Sequence, residues 1–204
     1  MPTRRDVIGA VGTVAIAAGC LDGSEPEPVP GVAVEISVVD HVPEEVPVSF
    51  ELDQASTRLD DGTLPRFSFG MINVHDGELS FEDAAPGLLR AGPSDPEGLA
   101  VVTEEEAERI ETGQSDAVVE AVGECLAVDR LPARDTDDWM TTLVPDEPTS
   151  EDFAFVPVDA PADGCPESGD YTFRMDYDFY EADATDEDPQ YTVDWGFTVR
   201  VRDD

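Results

Sequence analysis

Apolar and polar residues alternate with a period of two along most of this chain. The cleanest run holds Tyr171, Phe173, Met175, Tyr177 and Phe179 on one parity, with Thr172, Arg174, Asp176 and Asp178 on the other. After an acidic stretch from Glu181 to Gln190, the residues Tyr191, Val193, Trp195, Phe197, Val199 and Val201 repeat the pattern. A helix scatters odd-numbered positions around its axis, whereas a strand lines them up on one face. The two runs therefore predict adjacent antiparallel strands around residues 171–179 and 191–201.

The same alternation marks Val32, Val34, Ile36 and Val38, then Val46, Val48, Phe50 and Leu52, with a turn through Pro43-Glu44-Glu45 between them. Phe67, Phe69 and Met71 predict a further strand, and Asp76-Gly77 predicts a hairpin turn from it toward Leu79 and Phe81. Shorter strands are expected from Cys125 to Val128, Trp139 to Leu143 and Phe153 to Val158. Thr103-Glu104-Glu105-Glu106 has the spacing of a capping box and opens a short helix through Ile110. Asp116 to Val122 fits a helical turn or a strand equally, and residues 76–124 as a whole give no single pattern. Strands in succession with turn signals at short intervals point to a mainly β fold: an antiparallel β-sandwich with one short helix in the middle.

Charge changes the picture of the surface. Among 204 residues, 48 are Asp or Glu and 11 are basic, all of them Arg, for a net charge of -37. Self-repulsion on this scale expands an ordinary domain, unless multimolar salt shortens the Debye length to a few ångströms. The acids are interleaved with apolar residues throughout, not gathered in a tail, so they read as a halophilic surface. Phosphate binding by nucleic-acid proteins needs clustered cations, so nucleic acid is not an expected partner.

The first twenty residues follow a different rule. Arg4-Arg5 precede a weakly apolar run from Gly9 to Ala18, which ends in Gly19-Cys20. The run is shorter than the roughly 20 apolar residues that span a bilayer. A basic start, a short apolar centre and small residues before a processing point make an export signal, and paired arginines are the twin-arginine address. The segment resembles the signal of haloarchaeal twin-arginine lipoproteins. Ala17-Ala18-Gly19-Cys20 is similar to their lipobox, with Ala17 where Leu is more usual. The resemblance implies cleavage before Cys20 and a lipid on its thiol, which anchors the chain to the extracytoplasmic face of the cell membrane. Loss of Arg4, Arg5 and Asp6 removes a net +1 and takes the mature charge to -38. Residues 21–30, with Pro26, Pro28 and Pro30 between acids, favour extended polyproline geometry and read as a tether. Residues 31–204 are then expected to form a single sandwich domain.

A second resemblance covers residues 125–202. In haloarchaeal surface lipoproteins of unassigned role, segments similar to Gly169-Asp170-Tyr171-Thr172-Phe173 form a late strand of an immunoglobulin-like sandwich, which implies that fold here. With Cys20 committed to lipid, Cys125 and Cys165 are an even pair outside the cell, where a disulfide is the expectation. It would close a 40-residue loop and stabilise the fold by about 4 kcal/mol in the chain-entropy model.

Candidate chemistry is sparse. A blue-copper site needs two His and a Cys with a His shortly after it, but His41 and His75 both precede Cys125 and Cys165. Gly113-Gln114-Ser115-Asp116-Ala117 departs from the nucleophile-elbow pattern at its last position and follows a charged helix instead of a buried strand. Asp183, Asp186, Glu187 and Asp188, and also the run Asp135-Thr136-Asp137-Asp138, are candidates for a hard cation. Such runs arise readily in a chain this acidic, and no catalytic residue or cofactor is expected. The leading expectation is a non-catalytic surface module that binds a protein or envelope partner. An extracellular enzyme or cation-binding protein that uses the acidic loops is one alternative, and a solute-binding transporter component is another.

Overall fold

A computed structural model of the chain describes residues 31–60, 62–84, 88–89, 93–117, 119–122, 125–131, 138–158, 165–181 and 188–203. In chain order the elements are β1 (Val32–Val39), β2 (Val48–Gln54), β3 (Arg58–Leu59), β4 (Arg66–Asn73), β5 (Leu79–Ala84), β6 (Leu99–Thr103), α1 (Glu104–Glu111), β7 (Val119–Val122), β8 (Cys125–Val128), β9 (Asp138–Leu143), β10 (Pro148–Pro157), β11 (Gly169–Glu181) and β12 (Tyr191–Asp203). Antiparallel pairing assembles one sheet in the order β3-β1-β12-β11-β5-β9 and a second in the order β2-β4-β10-β6. A small β7-β8 ribbon stands beside them.

The two sheets face each other through the residues that the alternation marks. Tyr171, Phe173, Met175, Tyr177 and Phe179 of β11 are buried together with Val193, Trp195, Phe197, Val199 and Val201 of β12. Phe67, Phe69 and Met71 of β4, with Phe153 and Phe155 of β10, bury the opposing face. Rings interlock between the sheets, with Phe50 4.9 Å and Phe69 5.3 Å from Trp195, and Phe155 5.8 Å from Phe173. Each such side chain contributes roughly 1.5–3 kcal/mol by leaving water, so this aromatic layer is the main source of cohesion. The register Arg174↔Gly196 sits on it. A Cβ at Gly196 would drive into the Phe173 carbonyl oxygen and press the Arg174 stem, so only glycine lets these backbones approach so closely.

The helix forms as the capping pattern predicts. Thr103 accepts the Glu106 N–H at 3.4 Å, and Gly113, at φ +66°, ends the helix in the left-handed region. Ala107 and Ile110 face inward. Arg66 of β4 docks the helix with Nε 2.7 Å from Glu104 Oε2 and Nη2 2.8 Å from Glu111 Oε2, while Leu64 N donates to Glu111 Oε1. Asp116 to Val122, which fits two conformations by pattern, carries strand β7.

One expectation is overturned. Asp76-Gly77 does not close a hairpin, because β4 and β5 belong to different sheets. β4 already has β2 and β10 on its two edges, so the chain crosses the sandwich and β5 pairs with β11 and β9. The turn through Pro43-Glu44-Glu45 is present, with Val46 N donating to Pro43 O, and it too carries the chain between sheets, from β1 to β2.

Candidate functional site

The long strands give the sandwich two distinct ends. Val32 pairs with Asp203 and Gly169 with Val201 at one end, and Phe179 pairs with Tyr191 at the other. With 13 residues in β12, these ends stand about 40 Å apart. Gly31 precedes β1 at the first end, packed against the Leu59 carbonyl, so residues 1–30 join the domain there. The opposite end collects the loops after β4, β9 and β11.

Asn73 organises this loop end. It is the one asparagine in the sequence and is wholly buried. Its Nδ2 donates to the carbonyls of Gly77 and Leu143, both at 2.9 Å, and its Oδ1 accepts the His75 N–H at 2.8 Å. The backbone of Asn73 accepts from Asp146 N, and Val74 N donates to Pro47 O. One neutral side chain thus ties the segments around residues 73–77 and 143–146, and its strand end adds the segment around 47. A buried amide with both ends satisfied is stiff, because any opening strands a polar group in the core.

On this frame stand His75, Glu181 and Tyr191. His75 Nδ1 accepts from Gly77 N at 3.1 Å, which places the proton of the neutral imidazole on Nε2. Nε2 lies 3.7 Å from Glu181 Oε1, and the Tyr191 hydroxyl donates to the same oxygen at 3.1 Å. Burial, reinforced by the bond to Glu181, holds the Tyr191 phenol above its ordinary pKa. Gln190 pins the adjoining hairpin by accepting from Glu181 N and donating to Asp188 O. Val74 and Val144 flank Asn73 and Leu143 with 57% and 42% of their surface exposed, among the few large apolar side chains left in water. The arrangement supplies a rigid rim with two apolar side chains and a His-Glu-Tyr cluster. With Nδ1 committed to Gly77, the imidazole acts first as a brace of its own loop.

The residues singled out by sequence separate clearly. Cys125 and Cys165 are joined in a disulfide with Cα atoms 4.9 Å apart, which ties β8 to the lead-in of β11 at the end of the sandwich where β1 begins. Cys20, Arg4 and Arg5 lie outside the described residues, as do Asp183, Asp186 and Glu187, while Asp188 lies in the loop before β12. Of the run Asp135-Thr136-Asp137-Asp138, only Asp138 is described, as the first residue of β9. Among the described residues no three His, Cys, Asp or Glu side chains are grouped to hold a metal ion. His41 is an exposed loop residue, far in role from a metal ligand pair. Ser115 follows the helix, donates its hydroxyl to Glu106 and accepts from Ala117 N, so it closes a polar turn. The grouping of His75, Glu181 and Tyr191 has no sequence signature, since it needs partners from different sheets. A lone Asn closing the apolar run of β4 is the one local signal that could mark it.

No family model, curated protein or solved structure matches this chain. Among the described residues no helix is long and apolar enough to cross a membrane.

Proposed function

We propose that this chain is an extracytoplasmic lipoprotein of a halophile, anchored through Cys20, whose sandwich is a non-catalytic module that presents its loop end to a protein or envelope partner. The observation that carries this reading is the polarity of the domain. The segment bearing Arg4, Arg5 and Cys20 joins at one end, and the Asn73-braced rim stands about 40 Å away at the other. A tether at one end and stiffened loops at the other are what a presenting module requires, because a preformed rim spends little ordering entropy on binding. Both sheets bury side chains into one shared core, which supports a single binding body over the two lobes and hinge of a solute-capture protein.

The test compares the full chain with Cys20→Ser in a halophilic host. Wild type is expected in the membrane fraction and released by detergent alone, with Cys20→Ser appearing in the medium. Equal partition of the two would overturn the anchor, and Arg4→Lys with Arg5→Lys exported at the wild-type rate would overturn the route. Presentation is tested by a photo-crosslinker at Val74 and, as control, at Ser68 on the outer face of β4. The same surface component crosslinking equally at both positions would remove the loop end as the binding site.

A further inference from the structure

We infer that the outer face of the six-stranded sheet, at its tether end, seats against anionic lipid headgroups through Arg58, Arg200 and Arg202 and keeps that end of the domain at the membrane. The inference rests on the anchor proposed above, and it adds the surface and the orientation that the anchor alone does not supply.

The argument is one of register. Ala33 of β1 pairs with Arg58 of β3 on one side and Arg202 of β12 on the other, which puts three outward positions in one rung beside Gly31. In the next rung Glu35 pairs with Arg200, and Arg200 with Asp170. Three of the nine arginines that follow Cys20 thus occupy two adjacent rungs next to the point where the tether joins. Their side chains are 42–55% exposed. Further along the same face Arg174 is paired with Asp40 and lies 3.8 Å from Asp194, and beyond it the charge turns. Asp176 stands opposite Asp194, and Asp178 opposite Thr192, toward the loop end. The face therefore runs from arginine at the tether to aspartate at the rim.

Each tether-end arginine already holds a carboxylate: Arg58 with Asp60 at 2.9 Å, Arg200 with Asp170 at 2.6 Å and Arg202 with Glu35 at 3.2 Å. These three arginines and their three carboxylates are charge-balanced, and Asp203, beside them at the tether end, is bonded to the Ser168 hydroxyl. A guanidinium has five N–H donors and one carboxylate engages two at most, so Arg200 and Arg202 keep donors for a phosphate in the bidentate geometry that arginine favours. The occupant is fixed by the tether. Ten residues separate Cys20 from Gly31 and reach at most about 35 Å, so a lipid at Cys20 keeps this face, and no other partner, at high local concentration beside headgroup phosphates. Multimolar salt removes the long-range repulsion between an acidic domain and an acidic surface and weakens contacts of a few ångströms less than that repulsion.

The experiment uses the full lipidated chain floated on vesicles, since Cys20 is modified and Cys125 and Cys165 are paired, so an added cysteine is the one free thiol. A dye is placed at Asp203→Cys or at Glu147→Cys, and energy transfer to a headgroup-labelled lipid is read. On vesicles containing phosphatidylglycerol, transfer from the Asp203 position should far exceed that from Glu147, and pure phosphatidylcholine should narrow the gap. Arg58→Gln, Arg200→Gln and Arg202→Gln should each lower the docked-to-free ratio about fivefold. Glu35→Gln with Asp170→Asn frees the guanidinium groups and should raise it. Equal transfer ratios on both lipids, unchanged by Glu35→Gln with Asp170→Asn, overturn the seating while flotation still upholds the anchor. Failure to float on either vesicle overturns the anchor, and the seating with it.

Discussion

The two ends of the sandwich are held by different forces. The tether end is pinned by the Cys125–Cys165 bond and by exposed arginine-carboxylate pairs, whereas the loop end is pinned by neutral amides, Asn73 and Gln190, and by backbone bonds. Exposed ion pairs contribute little to stability and less in concentrated salt, so the covalent bond carries the fastening at the tether end. In the proposed seating, Arg200 and Arg202 turn their remaining donors to headgroup phosphates. A buried neutral amide is indifferent to ionic strength, so the loop end keeps its shape in any brine. The contrast separates an end fastened by a covalent bond and charge pairs from one fastened by neutral hydrogen bonds.

Four perturbations sharpen or break this comparison. The largest is Cys125→Ser with Cys165→Ser, expected to cost about 4 kcal/mol in denaturant unfolding and to speed hydrogen exchange in β7 and β8 while the segment 73–77 stays protected. Asn73→Ala strands the His75 N–H and the carbonyls of Gly77 and Leu143, for a loss of about 2 kcal/mol. Its exchange signature should be the reverse, confined to the loop end, and uniform destabilisation in either variant would erase the distinction. Thr103→Ala removes the helix cap and should cost about 1 kcal/mol without altering either end.

Acid gives the smallest effect. Hydrogen bonding to Arg200 holds the Asp170 carboxyl below its ordinary pKa. Burial pushes Asp60 up, but the Gly62 N–H and Arg58 outweigh it and leave that carboxyl lowered as well. A group whose folded pKa is depressed stabilises the fold above its unfolded value, near 3.8, and loses that contribution as pH falls through the folded value. Stability should therefore decline below about pH 4, and Asp170→Asn should flatten part of that decline in a titration followed by circular dichroism.

How much of this was legible in sequence differs between regions. β11 and β12 could be read almost residue by residue, because 13-residue strands with one buried face repeat a period of two that no helix satisfies. The capped helix and the disulfide were also readable, each from local chemistry and cysteine arithmetic. The step from β4 to β5 was not, since Asp76-Gly77 announces a reversal without naming the sheet that receives the next strand. The loop-end cluster was hidden for the same reason. His75 and Glu181 are 106 residues apart and meet only once both sheets are assembled.

The proposed presentation of the loop end depends on an anchor at Cys20. The most direct measurement is intact and peptide mass spectrometry of the chain taken from the membrane fraction of a halophilic host. The expected N-terminal residue is Cys20, carrying the added mass of a lipid; a chain that keeps Met1 to Gly19, or an unmodified Cys20 in a protein recovered from the soluble fraction, would contradict it.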